Sequence, residues 1–496
     1  MDMELLMKIL LRWFLIKFNY VFRIFKSMRF LLAISILSSC KSSLSSNRLT
    51  LDIEFRMFFD NIIRKSNLAN KKIQKYKHIN KLKKVNISSH DNKDETKEYP
   101  SNKLTKQENN FYTPKEQSKN KIRIYGDDST SINAYVSINH LGSEYMVVHK
   151  GLIEKCTAEE AIAVIFHEMG HVKKSHIKQS IFKISKAQNY KLLMPTLLIP
   201  GINILGMIVI NGIYNDLMMY SQQQEVEADS YALQTLQKLN WTVSGSYKLF
   251  KKFAENDKAR DYFSSHPSSS NRQKMAFQYL KKEEGKIPDE IISHYKALQS
   301  RISKGLYIGG KRIGKPSNEY EKLWEGYLSG RDISKSLVEF LQKLDENSPM
   351  YVCSTYIKFL MELRLENYEN ALQSIQIINQ KFSDREVEFC ILYTKFHSYK
   401  KSKNTAKMKN LEHELLNYKN KDMFDVRIWS LLCSLYDFLG NRSHFYYAKA
   451  YNEFVSSGDI YKVNQFLKKA LDGLNKNSIA FQECEYLQSV SRKARV

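Results

Sequence analysis

The five residues His167-Glu168-Met169-Gly170-His171 lie inside an apolar stretch that runs from Ala158 to Val172, and this placement constrains the fold more than any other feature. Thr157-Ala158-Glu159-Glu160 immediately before it reads as a capping box, with Thr157 taking an orphan amide and Glu160 answering it, so a buried helix starts here. On a helix the two histidines stand about 40° apart on one face, close enough to share a tetrahedral ion, while Glu168 is offset toward the open position. Buried imidazoles and carboxylates are costly unless paired, so the stretch holds either a metal ion or a closed network of His and Glu ion pairs.

A catalytic metal site needs a third protein ligand. His176 is nine residues from His167, about half a turn round if the helix continues, so it is not assigned as a ligand. Glu225-Val226-Glu227-Ala228-Asp229 lies on a second expected helix, Leu217 to Leu239. There Glu225 and Asp229 share a face and Glu227 points away. The metal ligands are therefore expected to be His167, His171 and Glu225, holding one Zn2+ per chain. Asp229 is expected to accept the free imidazole N–H of a ligand histidine. Zinc acidifies the attacking water, and Glu168 takes its proton and returns it to the leaving amine, which makes peptide hydrolysis the expected chemistry. Ser264-Ser265-His266-Pro267 and Arg272 form one more cluster. His266 would either donate to the developing oxyanion or fill the vacant zinc position and hold the enzyme latent, and Arg272 would anchor this loop or pair with a carboxylate.

Charge and texture divide the rest of the chain. Of its 496 residues, 77 are Lys or Arg and 52 are Asp or Glu, a net charge of +25. Residues 1–120 hold 24 Lys and Arg against 11 Asp and Glu, so about half of the excess lies in the N-terminal arm. No Arg-rich recognition helix, zinc-finger spacing or aromatic RNP-like strand accompanies that charge, so nucleic acid is not an expected partner. Phe30 to Leu37 followed by Ser38-Ser39-Cys40 reads as a signal sequence with a lipobox, Cys40 being the lipidated residue; the alternative is an uncleaved amphipathic anchor. Either way a membrane-anchored protein is expected, and on the lipobox reading it faces the periplasm. In an oxidising compartment the four cysteines from Cys353 onward could form disulfides.

The expected division is a signal and lipobox region (1–40), a basic and largely disordered tether (41–121), a zinc metallopeptidase domain (122–284) and a helical domain (285–496). Leu51 to Ile63 is one amphipathic helix within the second segment. Ile122–Tyr125 and Tyr145–Val148 read as short strands. Leu192 to Ile213 is strongly apolar but broken by Pro and Gly, and reads as a hairpin covering the site or dipping into an interface rather than a span. From Trp429 to Ala470, small residues at helix crossings and Gly440 and Gly458 at turns have the spacing of a tetratricopeptide-type pair. The fold class expected is α+β, mostly α: a gluzincin-type domain with a small sheet, then an α-helical repeat domain.

Taken together, Asn133-Ala134-Tyr135, His167 to Val172 with His176 following, Glu225 to Asp229 and Ser265-His266-Pro267 with Arg272 resemble the HtpX, BepA and LoiP type of zinc metallopeptidase over residues 122–280. Ser265 and Tyr135 stand where that family has Thr and Phe. The resemblance implies that Asn133 and Ala134 lie on a strand beside the site. Together with the helical C-terminal region it implies an endopeptidase of the bacterial envelope acting on misfolded or unassembled envelope proteins. An outer-membrane assembly machinery would be a partner through the repeats, and the lipid anchor would hold the chain at a membrane. The competing expectation is a periplasmic chaperone or assembly scaffold with a latent zinc site.

Overall fold

A computed structural model of the chain describes residues 52–86, 122–138, 144–180, 222–255, 270–280 and 285–495. They fall into two compact units, one of residues 47–182 and 218–391 and one whose described part is 392–495. The class is α+β and mostly α, as expected from the sequence.

The first unit opens with α1 (Ile53–Asn86). It continues beyond Asn67 into the stretch whose composition reads as tether. Its first turns carry Ile53, Phe55, Met57, Phe58, Phe59 and Ile62, all buried. This start is the helix expected from Leu51 to Ile63, and the Lys-rich composition beyond Asn67 conceals its extension to Asn86. Next come β1 (Arg123–Asp127), β2 (Ala134–Ile138) and β3 (Glu144–His149). They form one sheet in the order β1-β3-β2, with β1 parallel and β2 antiparallel to the central β3. Tyr145, Met146, Val147 and Val148 of β3 are buried in succession, as a central strand covered on both faces requires.

Two helices follow the sheet, α2 (Lys150–Lys155) and α3 (Ala158–Lys173). Thr157 and Glu160 make the reciprocal bonds of a capping box, and every residue from Glu160 to Val172 is buried. A helix apolar nearly all round is enclosed rather than laid on a surface. Its neighbours are α1, β2, α4 (Gln222–Lys238), α5 (Ser244–Glu255) and, beyond α6 (Ser270–Leu280), α7 (Asp289–Ser303). The hydroxyl of Tyr295 and the amide of Gln299, both on α7, donate to the carbonyls of Ile153 and Cys156 at 2.7–3.3 Å. These are carbonyls that the short α2 leaves without intrahelical partners.

Helices α8 (Glu319–Leu328), α9 (Ser334–Gln342), α10 (Pro349–Arg364) and α11 (Tyr368–Lys381) pack around Trp324, Tyr356, Ile357 and Ile375, and Ile53 and Met57 of α1 join the same core. Arg301 on α7 binds the start of α1. Its Nη atoms donate to both Asp52 carboxylate oxygens at 2.7 Å, and its Nε donates to Glu54 at 2.8 Å. All three side chains are buried, and Arg301 also lies over the Trp324 ring.

α12 (Arg385–Lys401) runs across the boundary between the units. The second unit continues with α13 (Thr405–Lys421), α14 (Val426–Phe438), α15 (Arg442–Ser456), α16 (Ile460–Leu471) and α17 (Ile479–Arg495). Gly440 and Gly458 take φ values of 70° and 65° just past the ends of α14 and α15, a conformation glycine adopts without penalty. Asn441 and Asp459 then cap the next helices. Trp429 stacks on Tyr451 at 4.5 Å between centroids, which locks α14 against α15.

The expectation of a membrane-anchored location facing the periplasm is corrected here. Among the described residues no helix is long and apolar enough to cross a membrane. Cys40, on which that expectation rested, lies outside the described residues, as does the expected hairpin from Leu192 to Ile213. Cys156, Cys353, Cys433 and Cys484 carry free thiols rather than disulfides.

Replacing Arg301 with Leu removes the counter-charge of two buried carboxylates, and loss of one partner from such a cluster costs about 3–5 kcal/mol. Equilibrium urea unfolding of Arg301→Leu should show that loss. A variant within ~1 kcal/mol of the wild type would mean that the cluster does not hold α1 in place.

Candidate metal centre

α3 and α4 meet at Gly170. A Cβ built on Gly170 would stand 2.7 Å from Ala228 Cα and 2.8 Å from its carbonyl oxygen, so only glycine permits this approach. The crossing brings Glu225, three residues and nearly one turn before Ala228, over the two histidines of α3. His167 Nε2 lies 3.0 Å from His171 Nε2, and Glu225 carboxylate oxygens stand 3.3 Å from the first and 3.4 Å from the second. His167, His171 and Glu225 thus form a buried group whose ligand atoms all lie within 4.8 Å of one another. Bonds of ~2.0–2.2 Å in a tetrahedron put neighbouring donors roughly 3.3–3.5 Å apart. Two imidazole nitrogens and a carboxylate at these separations fit a divalent transition metal. Glu168, fully buried, follows His167 on the same helix.

The two histidines are held by different surroundings. His167 Nδ1 donates to Asp229 Oδ1 at 2.7 Å. Arg272 in turn grips Asp229 through Nε at 2.5 Å and Nη2 at 3.0 Å, reaches Glu225 through Nη1 at 2.8 Å, and lies over the Phe250 ring. Of the two expectations for Arg272, pairing with a carboxylate is what the structure contains. Burial alone would raise the Asp229 carboxyl, but the Arg272 charge and the His167 bond bring its pKa below the usual value. Burial likewise works against a charged His167; the Glu225 and Asp229 carboxylates outweigh it and, without metal, lift His167 to about 10.

His171 Nδ1 is hydrogen-bonded to His176 Nδ1 at 2.9 Å, and His176 Nε2 to Glu227 Oε2 at 3.1 Å. His176 stands outside the ligand set, but the geometric ground for setting it aside was wrong. The helix does not continue. α3 ends at Lys173, Ser175 turns into the left-handed region with φ 56°, and the chain folds back to bury His176 beside His171. Glu227, expected to point away, is its partner. Sequence periodicity had no means of finding this contact, because it assumes an unbroken helix.

Asn133 immediately precedes β2, its side-chain oxygen buried without a hydrogen-bond partner, and Ala134 is buried opposite Val148. His266 lies outside the described residues.

Residues 101–279 match the sequence profile of Peptidase family M48. Over 134 residues the chain is 30% identical to Metalloprotease LoiP of Escherichia coli (strain K12), an alignment covering 25% of this chain and 51% of that protein. Over 163 residues it is 25% identical to Mitochondrial metalloendopeptidase OMA1 of Arabidopsis thaliana, covering 31% of this chain and 30% of the relative. The chain therefore spans about half the length of the first of these curated relatives and less than a third of the second.

Two outcomes follow from the geometry. Gly170→Ala must push α4 away from α3, a misfit costing about 1–3 kcal/mol. It should lower both the melting temperature and the bound metal, and native values of both would contradict the crossing. Because His167 has a raised pKa, its protonation stabilises the metal-free protein fully below about pH 6.5, and that contribution is lost as pH rises through about 10. Metal must displace this proton, so affinity should rise with pH across that window and binding at pH 7.5 should release about one proton. Calorimetric titration with zinc in buffers of different ionisation enthalpy reads this directly; zero proton release would refute it.

Proposed function

We infer that this chain, whose residues 101–279 belong to peptidase family M48, is a zinc-dependent endopeptidase that hydrolyses peptide bonds of misfolded or unassembled proteins. The observation that carries the reading is the convergence of His167, His171 and Glu225 on one buried point, with Glu168 next in the helix. Two imidazoles and one carboxylate leave a fourth tetrahedral position for a water or a substrate oxygen, the ligand set of hydrolytic rather than structural zinc. When bound, zinc supplies Lewis acidity toward the attacking water and the scissile carbonyl.

The protein's own groups do the rest. Glu168 takes the proton of the attacking water on its carboxylate and hands it to the leaving amine nitrogen as the C–N bond breaks. Asp229 and Arg272 hold the His167 ring so that Nε2 keeps its lone pair, and Arg272 also restrains Glu225. His266 is the proposed donor to the developing oxyanion. Among the described residues β2 pairs with β3 alone, and its outer edge is the proposed seat of an extended substrate, with the Asn133 side-chain oxygen as an acceptor beside it. An extended, unfolded client suits such an edge better than a folded one. Residues 392–495 are proposed as the surface on which clients dock.

Cleavage of casein by the full chain, with zinc quantified in the same sample, tests the reading. Glu168→Gln should lose about 10²- to 10⁴-fold in rate while still binding one zinc. Undiminished cleavage by that variant, or activity indifferent to zinc removal, would rule the reading out.

A further inference from the structure

The hydrogen bonds behind His171 have a direction, and that direction assigns a role to two residues the peptidase chemistry does not otherwise use. A neutral imidazole has one N–H donor and one lone pair. His171 turns Nε2 toward His167 Nε2 and the Glu225 carboxylate, so an ion held there takes the Nε2 lone pair and the proton must sit on Nδ1. His171 Nδ1–H then donates to His176 Nδ1 across 2.9 Å. With Nδ1 accepting, His176 carries its own proton on Nε2, where Glu227 Oε2 accepts it at 3.1 Å. Gln223 Nε2 donates to the other Glu227 oxygen at 3.0 Å and holds the carboxylate in place.

We propose that His176 and Glu227 are a positioning pair for the metal centre: Glu227 fixes the His176 tautomer, His176 thereby holds the His171 proton on Nδ1, and His171 Nε2 is kept as a lone-pair donor. This rests on the reading of His171 as a zinc ligand. His167 obtains the same service from Asp229 directly. For His171 the carboxylate acts through an intervening imidazole, which carries the chain of bonds from a fully buried ligand to Glu227, whose side chain is 38% exposed. The break at Ser175 is what makes the relay possible, since an uninterrupted helix would turn His176 away from His171.

The test uses the full chain, zinc as the probe, chelator competition for affinity and 15N-histidine NMR for tautomers. In the zinc-loaded wild type, His171 should carry its proton on Nδ1 and His176 on Nε2. His176→Leu should bind zinc about 10- to 100-fold more weakly, the usual loss when a ligand's hydrogen-bond partner is removed. Glu227→Ala should weaken binding less and shift the His176 tautomer, and His176→Gln, whose amide oxygen can still accept from His171, should recover most of the affinity. A His176 proton on Nδ1 in the loaded wild type would overturn the relay, as would unchanged zinc affinity in His176→Leu and Glu227→Ala. A lower melting temperature of the metal-free variants with wild-type affinity would make the pair merely structural and would overturn it as well. If His176→Leu does not fold, the wild-type tautomers and Glu227→Ala decide. A wild type that binds no zinc would instead defeat the zinc reading itself, a result distinct from any of these.

Discussion

The metal centre depends first on how closely two helices approach at Gly170. Two of the three residues that could hold an ion come from α3 and are fixed relative to each other by helix geometry; the third has to arrive from α4. A methyl group at 170 would meet the Ala228 backbone at 2.7 Å, and the helix shift needed to relieve that contact exceeds the ~0.2 Å within which a metal site's bond lengths are held. The same crossing orients everything else on α4. Asp229, one turn after Glu225, faces His167, while Glu227, between them in sequence, reaches the far side of His171 through His176.

Burying so many ionisable groups at one crossing requires compensating charge. Arg272, 1% exposed, supplies one positive charge to two carboxylates, and its planar fork lets it bind Asp229 with two nitrogens and Glu225 with the third. One cation against two anions leaves a deficit, and in the metal-free protein His167 answers it by holding a proton to about pH 10. A divalent ion held by His167, His171 and Glu225 would take the place of that proton and add a further charge. Arg301 repeats the design elsewhere in the same unit, gripping Asp52 and Glu54 with a similar fork, but among the described residues no pair of imidazoles converges there and the result is cohesion.

What could be read from the sequence was what periodicity encodes. The capping box at Thr157, the shared face of His167 and His171, and the shared face of Glu225 and Asp229 are all consequences of 100° per residue on unbroken helices, and each stands in the structure as expected. Reading failed where the backbone leaves that regularity. Ser175 has no glycine or proline to announce its left-handed turn, so the return of His176 was invisible. Only the later part of α1 was obscured, for a different reason: its apolar start reads as a helix from Leu51 to Ile63, but residues after Asn67 are rich in Lys and Asn and carry no core pattern. The pairing of Arg272 with Asp229 is a contact across 43 residues, which no local pattern carries.

Long-range contacts also explain why α3 can be buried on every side. The sheet, α4 and α5 enclose part of it, and α1 closes against it and against α4, where Ser66 and Asn70 hydrogen-bond to Tyr231 and Asn70 also reaches Thr235. α1 is in turn held by Arg301, whose bonds to Asp52 span 249 residues. A helix that precedes the sheet and a helix that follows the metal centre therefore secure each other, with the centre between them in sequence. Burial of His167, Glu168 and His171 is thus a property of the whole unit. Loosening α1 exposes α3 to water, and water raises the effective dielectric around the centre, weakening the carboxylate charges that tune His167 and Asp229.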